Sequence, residues 1–394
     1  MRVRICRGHL PPLLTFIGLI GLGGVEIKER HNLTAIASCR LFASSVNRGA
    51  YWQAKEEIER SINLCPNNSQ YVAQKALLLA ITAGITCKGY DDCAAIVLGR
   101  NKYDLGKIEN AIQLYQQALE LKADDDGYHH NLGWLYYVAG SREEAFKHLR
   151  KAISIDSGNV IYHISIGLML EKNDDRPEAV AEYANALRLS PSLLNSRFFH
   201  DLTQRWPDGA RSAFAAAANR LENEIQADGS LFAKARLGKF YIYEKKYDKA
   251  RMMIEECVTQ LPSLPYAWLH LGELYGMIGD EEKMKKYYER ATYINPGTSL
   301  AWARLGDFYY KKGPRGEAIL QYNIAIATWL NQVSEHAFTY PPVPGLSDDL
   351  LPHHLLTYCS PDIGIFEIYW RLSGLYWESG NVGMAKYYES MANR

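Results

Sequence analysis

Residues 128–156 read YHHNLGWLYYVAGSREEAFKHLRKAISID, and the pattern returns at 266–296 as YAWLHLGELYGMIGDEEKMKKYYERATYINP and at 300–327 as LAWARLGDFYYKKGPRGEAILQYNIAIA. Each copy places a glycine after an aliphatic residue and an aromatic three residues later. A turn residue follows, then a small residue inside a second apolar-periodic stretch. The glycine falls at Gly133, Gly167, Gly238, Gly272 and Gly306, so three intervals are 34 residues and the fourth, 71, is two such intervals plus three. A fixed period of this length marks an array of stacked supersecondary units.

Within one unit, Leu132 and Tyr136 share a helical face, as do Ala145, Leu149 and Ala152 further on. Two amphipathic helices are therefore predicted. Gly133 and Ala145 allow them a close approach. Gly140, Gly279, Gly313 and Gly380 fall between helices, where a positive φ is predicted because only glycine adopts it cheaply. Pro191, Pro262 and Pro296 end second helices, since proline cannot continue the ladder. One such pair cannot bury both faces alone, so neighbouring pairs must share a core.

These residues resemble the tetratricopeptide repeat family. The resemblance implies an all-α fold, a right-handed α-solenoid of helix-turn-helix units, preceded here by a short N-terminal apolar helix. The expected organisation is an N-terminal signal-anchor segment at 1–34, divergent repeat-like helices at 35–125, a repeat pair at 126–193, a degenerate helical unit at 194–230, three repeats at 231–332, a proline-rich insertion at 333–362 and a closing unit at 363–394. Weaker copies fit 35–68 and 92–125. The apolar helix beginning at Tyr71 either opens a repeat with a long insertion or caps the one before it. In the degenerate unit, Pro207 and Gly209 break the helix.

Lys plus Arg and Asp plus Glu are 44 each, and no basic run occurs, so a phosphate-tracking nucleic-acid binder lacks its driving force. No nucleophile elbow, phosphate loop, HExxH or CxxC pair is present. We therefore expect no enzyme, no catalytic residue, no cofactor and no metal. His353 and His354 are read as a solvated loop, because adjacent histidines do not face one ion. His129 and His130 are read as surface polar residues. Cys87 and Cys93 are read as unpaired thiols, with pairing as the alternative in an oxidising compartment.

In tetratricopeptide repeats the first helix of each unit lines a concave groove, chiefly at its second, fifth, ninth and twelfth positions. The resemblance carries these positions onto His130, Trp134, Tyr137, Ile161, Ile164, Leu168, Phe232, Lys239, Tyr266, Glu273, Asp307, Tyr310, Trp370 and Trp377. This aromatic, amphipathic set suits a protein or peptide segment that buries apolar anchors. Tyr136, Tyr275, Tyr309 and Tyr376 occupy a packing position instead. A basic clamp for a chaperone's C-terminal carboxylate is not expected. Arg236, Lys239 and Arg304 lack the matching asparagine, and Glu273 and Asp307 stand among them.

Arg2, Arg4 and Arg7 precede the apolar run 13–25, and Glu26, Lys28, Glu29 and Arg30 follow it. The charge asymmetry predicts a single-pass, uncleaved signal-anchor through residues 10–25 with the repeats outside, in the periplasm. A helix packed on a cytoplasmic array is the alternative. A membrane segment followed by repeats resembles, in outline, the extracytoplasmic tails of bacterial O-antigen ligase or polysaccharide-polymerase proteins. That resemblance implies a membrane-tethered scaffold in cell-envelope polysaccharide assembly. Two alternatives stand beside it: a soluble adaptor, and an accessory subunit touching glycan through Trp134, Trp370 and Trp377.

Overall fold

A computed structural model describes residues 51–84, 103–337 and 365–392, together with Ser38. Among the described residues there are seventeen α-helices, one 3-10 turn and no strand. The helices follow one another as antiparallel neighbours. The chain opens with α1 (Tyr51–Leu64), α2 (Ser69–Thr82) and α3 (Leu105–Leu121). Two pairs follow, α4 (Asp126–Val138) with α5 (Arg142–Ile155) and α6 (Val160–Lys172) with α7 (Arg176–Leu189). After a 3-10 turn at Pro191–Asn195 come α8 (Arg197–Arg205) and α9 (Pro207–Asp228). Three more pairs are α10 (Leu231–Tyr243) with α11 (Tyr247–Gln260), α12 (Pro265–Ile278) with α13 (Glu281–Ile294), and α14 (Ser299–Lys312) with α15 (Arg315–Ala337). The last is α16 (Ile365–Glu378) with α17 (Val382–Ala392). This is an α-solenoid. The short apolar helix expected at the N-terminus lies outside the described residues.

The repeating glycine is explained by what faces it. A Cβ on Gly133 would lie 2.6 Å from Leu149, on Gly167 2.5 Å from Tyr183, on Gly238 2.4 Å from Ile254, and on Gly272 and Gly306 2.5 Å from Tyr288 and Tyr322. Each of those partners is the eighth residue of the second helix and is nearly or wholly buried. The glycine thus admits a bulky side chain from its own unit. In the closing unit Ser373 stands in its place and donates to Ala385 O (2.9 Å).

Turn geometry follows the expectation at Gly140, Gly279 and Gly380, all left-handed. Asp174 and Lys245 adopt the same conformation at the equivalent step without being glycine. Gly313 departs from the expected positive φ: it is extended, at φ −112° and ψ −173°. Pro314 follows it, and the residue before a proline is driven out of the helical region. Glycine is needed there for space, because a Cβ would meet Tyr309 at 2.4 Å.

α2 opens a unit rather than capping the one before it. It packs against α3 as closely as the other paired helices pack, and Asp104 N–H donates to Ala83 O (3.0 Å), bringing the two ends of the intervening segment together. At the degenerate unit, Pro207 starts α9 and Trp206 folds over Gly209, where a Cβ would sit 2.2 Å from the indole. α9 packs on α7 and α10, and one apolar core runs without interruption from Trp134 to Tyr275.

His129 and His130, expected at the surface, are buried. His129 Nε2–H donates to Ala123 O (3.2 Å), six residues back. His163 reaches Ser157 O (3.2 Å), Trp268 reaches Pro262 O (2.7 Å) and Trp302 reaches Pro296 O (2.7 Å) over the same separation. A ring N–H at the fourth position of the first helix thus ties down the turn that precedes it.

The single-pass arrangement is overturned. Among the described residues no helix is long and apolar enough to cross a membrane. The run on which that expectation rested, 13–25, falls well short of the ~20 residues a span requires and lies outside the described residues. Residues 85–102, with Cys87 and Cys93, and 338–364, with His353 and His354, also lie outside them.

Candidate functional site

The first helices carry a row of side chains 34 residues apart, and stacking brings that row together. At the ninth position of α10, α12 and α14 stand Lys239, Glu273 and Asp307. Lys239 is only 2% exposed, and its Nζ donates to Glu273 Oε1 at 2.7 Å. His270 Nδ1–H donates to the other oxygen at 3.0 Å. Burial alone would raise the Glu273 carboxyl, but the Lys239 charge and the hydrogen bonds from His270 and Lys239 hold it at about 2. Asp307 accepts from Arg304 (2.9 Å) and from the Tyr322 hydroxyl (3.0 Å), and is also bound by Arg371. Arg371 in turn pairs with Glu367.

The row is therefore a ladder of internally satisfied charges, running from α10 to α16. Lys239 is not free to grip a partner's carboxylate, because its own carboxylate holds it out of solvent. Arg304 is likewise paired within the chain, to Asp307 at 2.9 Å.

The other groove candidates divide by burial. His130, Trp134, Ile164 and Leu168 are buried, as is Ile161. Trp134 Nε1–H donates to His130 Nε2 (3.2 Å) and Ser165 Oγ (3.3 Å), and the Ser165 hydroxyl lies 2.9 Å from the same His130 nitrogen. These side chains join α4 to α6. Tyr137 is partly buried with its ring edge-on to Trp134, and Tyr310 is partly buried beneath the guanidinium of Arg371. Phe232, Tyr266, Trp370 and Trp377 are each about half exposed.

Between α10, α12 and α14 a cavity of about 520 Å³ opens beside the charge ladder. Ile242, Tyr243, Met277 and Phe308 form its apolar wall, with Lys245 and Lys311 among the lining residues. Tyr243 is 42% exposed and Met277 60%. Sequence reasoning passed over Tyr243, Met277 and Phe308, which sit one residue beyond the positions that the family resemblance singles out. Among the described residues no group of three or more metal-ligating side chains occurs.

With the geometry in hand, the class is an all-helical repeat solenoid. Parts of it match repeat models: a TPR repeat model matches residues 99–140, and tetratricopeptide repeat models match 130–155 and 265–298. No curated protein matches the chain significantly. Among solved structures it is similar to Pseudomonas aeruginosa pilF, at 14% identity over 72% of this chain and 99% of that one, with a TM-score of 0.33. A tetratricopeptide repeat protein from Parabacteroides merdae shares 14% identity over 81% and 98%, with a TM-score of 0.30. YrrB, described as a TPR protein with an unusual peptide-binding site, shares 17% over 62% and 95%, with a TM-score of 0.27. Overlaps this weak carry no inference about this chain. The matches concern the repeats and do not extend the resemblance to O-antigen ligase or polysaccharide-polymerase proteins.

Proposed function

We propose that this protein is a non-enzymatic adaptor that holds an extended segment of another protein along the first-helix face of residues 231–332. Tetratricopeptide repeats generally bind proteins or peptides, and the cavity between α10, α12 and α14 supports that reading here. It offers exposed apolar side chains beside charges that are already satisfied internally. A partner would bury an apolar anchor against Tyr243 and Met277 without having to break the Lys239–Glu273 pair. Burying apolar surface supplies the affinity, and the fixed ladder supplies a rigid floor.

A photo-crosslinking side chain placed at Met277 tests this against the same group at Met252, which is exposed on α11 and outside the cavity. The expected result is a discrete protein adduct from Met277 alone. Its purified segment should bind at least tenfold more weakly to a Tyr243→Ala, Met277→Ala double variant. Equal adducts from both positions, or unchanged affinity in the variant, would sink the reading.

A further inference from the structure

The repeats act as controls for one another on the face opposite the charge ladder. In the unit of α12 and α13, Trp268 and Tyr275 flank Tyr287, with ring centres 5.9 and 5.3 Å from it. The Tyr275 hydroxyl donates to Glu255 of the preceding unit (3.2 Å). The closing unit repeats the device: Tyr369 and Tyr376 flank Tyr388 at 5.9 and 5.7 Å, and Asn323 donates to the Tyr376 hydroxyl (3.3 Å). In the unit of α4 and α5, His148 is the filler, between His129 and Tyr136. A flat ring from the second helix closes a box of two rings in all three.

The unit of α14 and α15 has the box without the filler. Trp302 and Tyr309 stand where Trp268 and Tyr275 stand 34 residues earlier, and Glu289 stands where Glu255 stands. The filler position holds Gln321. The result is an open cavity of about 460 Å³ bordered by these four residues. Gln321 Oε1 is buried there with no hydrogen-bond partner, a costly state for a polar atom.

What fits the gap is constrained in two ways. Its walls are flat π faces, the geometry that receives a planar group in the sister units. Its polar edge holds acceptors, the Gln321 carbonyl and the Glu289 carboxylate. A cation is already drawn to this edge: Lys285 Nζ lies 3.7 Å from Glu289 Oε1 and 5.3 Å from the centre of the Tyr309 ring. A planar, cationic group rich in N–H donors satisfies all three features, whereas an ammonium cannot stack and a phenol carries no charge.

We infer that this cavity receives the guanidinium of an arginine side chain from a partner protein, stacked between Trp302 and Tyr309 and donating to Gln321 Oε1 and Glu289. The site lies on a different face from the groove proposed above and stands or falls separately.

The test uses the full chain with ¹⁵N-labelled tryptophan and the peptide acetyl-Gly-Gly-Arg-Gly-Gly-amide, with Arg replaced in turn by citrulline, Lys and Tyr. The Trp302 indole N–H, identified by its loss in Trp302→Phe, should shift with the arginine peptide and at least fivefold more weakly with the other three. Gln321→Tyr supplies the missing ring, and should abolish the response while raising the melting temperature. Glu289→Gln should weaken arginine binding at least fivefold and leave the fold intact. An equal response to the tyrosine or lysine peptide, or an arginine response that survives Gln321→Tyr, would overturn the assignment. Crosslinking from Met277 should be the same in Gln321→Tyr as in the unaltered chain.

Discussion

Tyr288 lays its ring over Gly272 so closely that a Cβ on the glycine would stand 2.5 Å from Cδ1. Tyr288 is itself 2% exposed and cannot swing out without leaving the core. Replacing Gly272 by alanine ordinarily stabilises a helix by about 1 kcal/mol. Here the overlap should win, with a net loss of about 1–3 kcal/mol in urea denaturation, and Leu should cost more. Trimming the opposing ring isolates the cause. In a Tyr288→Ala background, Gly272→Ala should become neutral or stabilising. Additive losses in the double variant would refute the contact as the reason for the glycine.

The Lys239–Glu273 pair joins two units across 34 residues at 2.7 Å. Glu273→Gln leaves a buried ammonium without its counter-charge and should cost about 3–5 kcal/mol. Lys239→Met combined with Glu273→Leu removes both charges and should recover most of that loss, giving a large coupling energy in the double-mutant cycle. The pair also sets an acid limit. Folding lowers the Glu273 carboxyl from 4.5 to about 2, so the unfolded chain binds the extra proton between those values. Its contribution is complete above about pH 4.5 and is lost as pH falls towards 2. Equilibrium unfolding of Glu273→Gln should show less pH dependence across that window.

Much of the architecture was readable because period and packing are coupled. A 34-residue interval fixed the glycines, and each glycine implied a close neighbour. The identity of that neighbour, eight residues into the next helix, followed only once the helices were paired. Burial of the groove candidates was harder to read. Trp134 and Ile164 look like lining by position alone, but both are buried, and for Trp134 the adjacent unit supplies Ser165 as a hydrogen-bond partner. The Lys239–Glu273 pair was implicit in the numbering, since residues 34 apart on stacked first helices become neighbours. So was the missing ring at Gln321, visible only by comparing it with Tyr287. Sequence alone does not decide between the α2–α3 pair and a capping role for α2, because the segment between the two helices breaks the period.

His130 accepts hydrogen bonds at Nε2 from Trp134 and Ser165, so protonation there would break the Trp134 bond and turn the Ser165 hydroxyl from donor to acceptor. Burial lowers its pKa from 6.5 to about 3. His148 is lowered to about 4, by burial and then by His129, whose ring nitrogen lies 2.8 Å away. In both cases the unfolded chain takes up a proton that the native state resists. Stability is therefore full above about pH 6.5 and declines as pH falls through the window towards 4 and 3. Between pH 6.5 and 4.5 the loss should reach at most about 2 kcal/mol per histidine. His130→Gln and His148→Gln, made together, should flatten the slope of unfolding free energy against pH in that interval. An unchanged slope would mean that neither ring is held neutral.

Lys245 has a φ of 60° at the turn between α10 and α11, where three other units place glycine. A left-handed conformation costs a residue with a side chain about 1–2 kcal/mol, and glycine largely escapes that cost. Lys245→Gly should therefore stabilise the chain by about 0.5–1 kcal/mol, the remainder being offset by glycine's greater freedom when unfolded. Asp174, at φ 64°, should gain less from the same change, because a short polar side chain tolerates this region. Thermal melts of the two variants rank them directly. Lys245→Ala gives the contrast, since it shortens the side chain but keeps the Cβ and so retains the strain. If alanine stabilises as much as glycine, the gain comes from removing the lysine side chain from the cavity rim and not from the backbone.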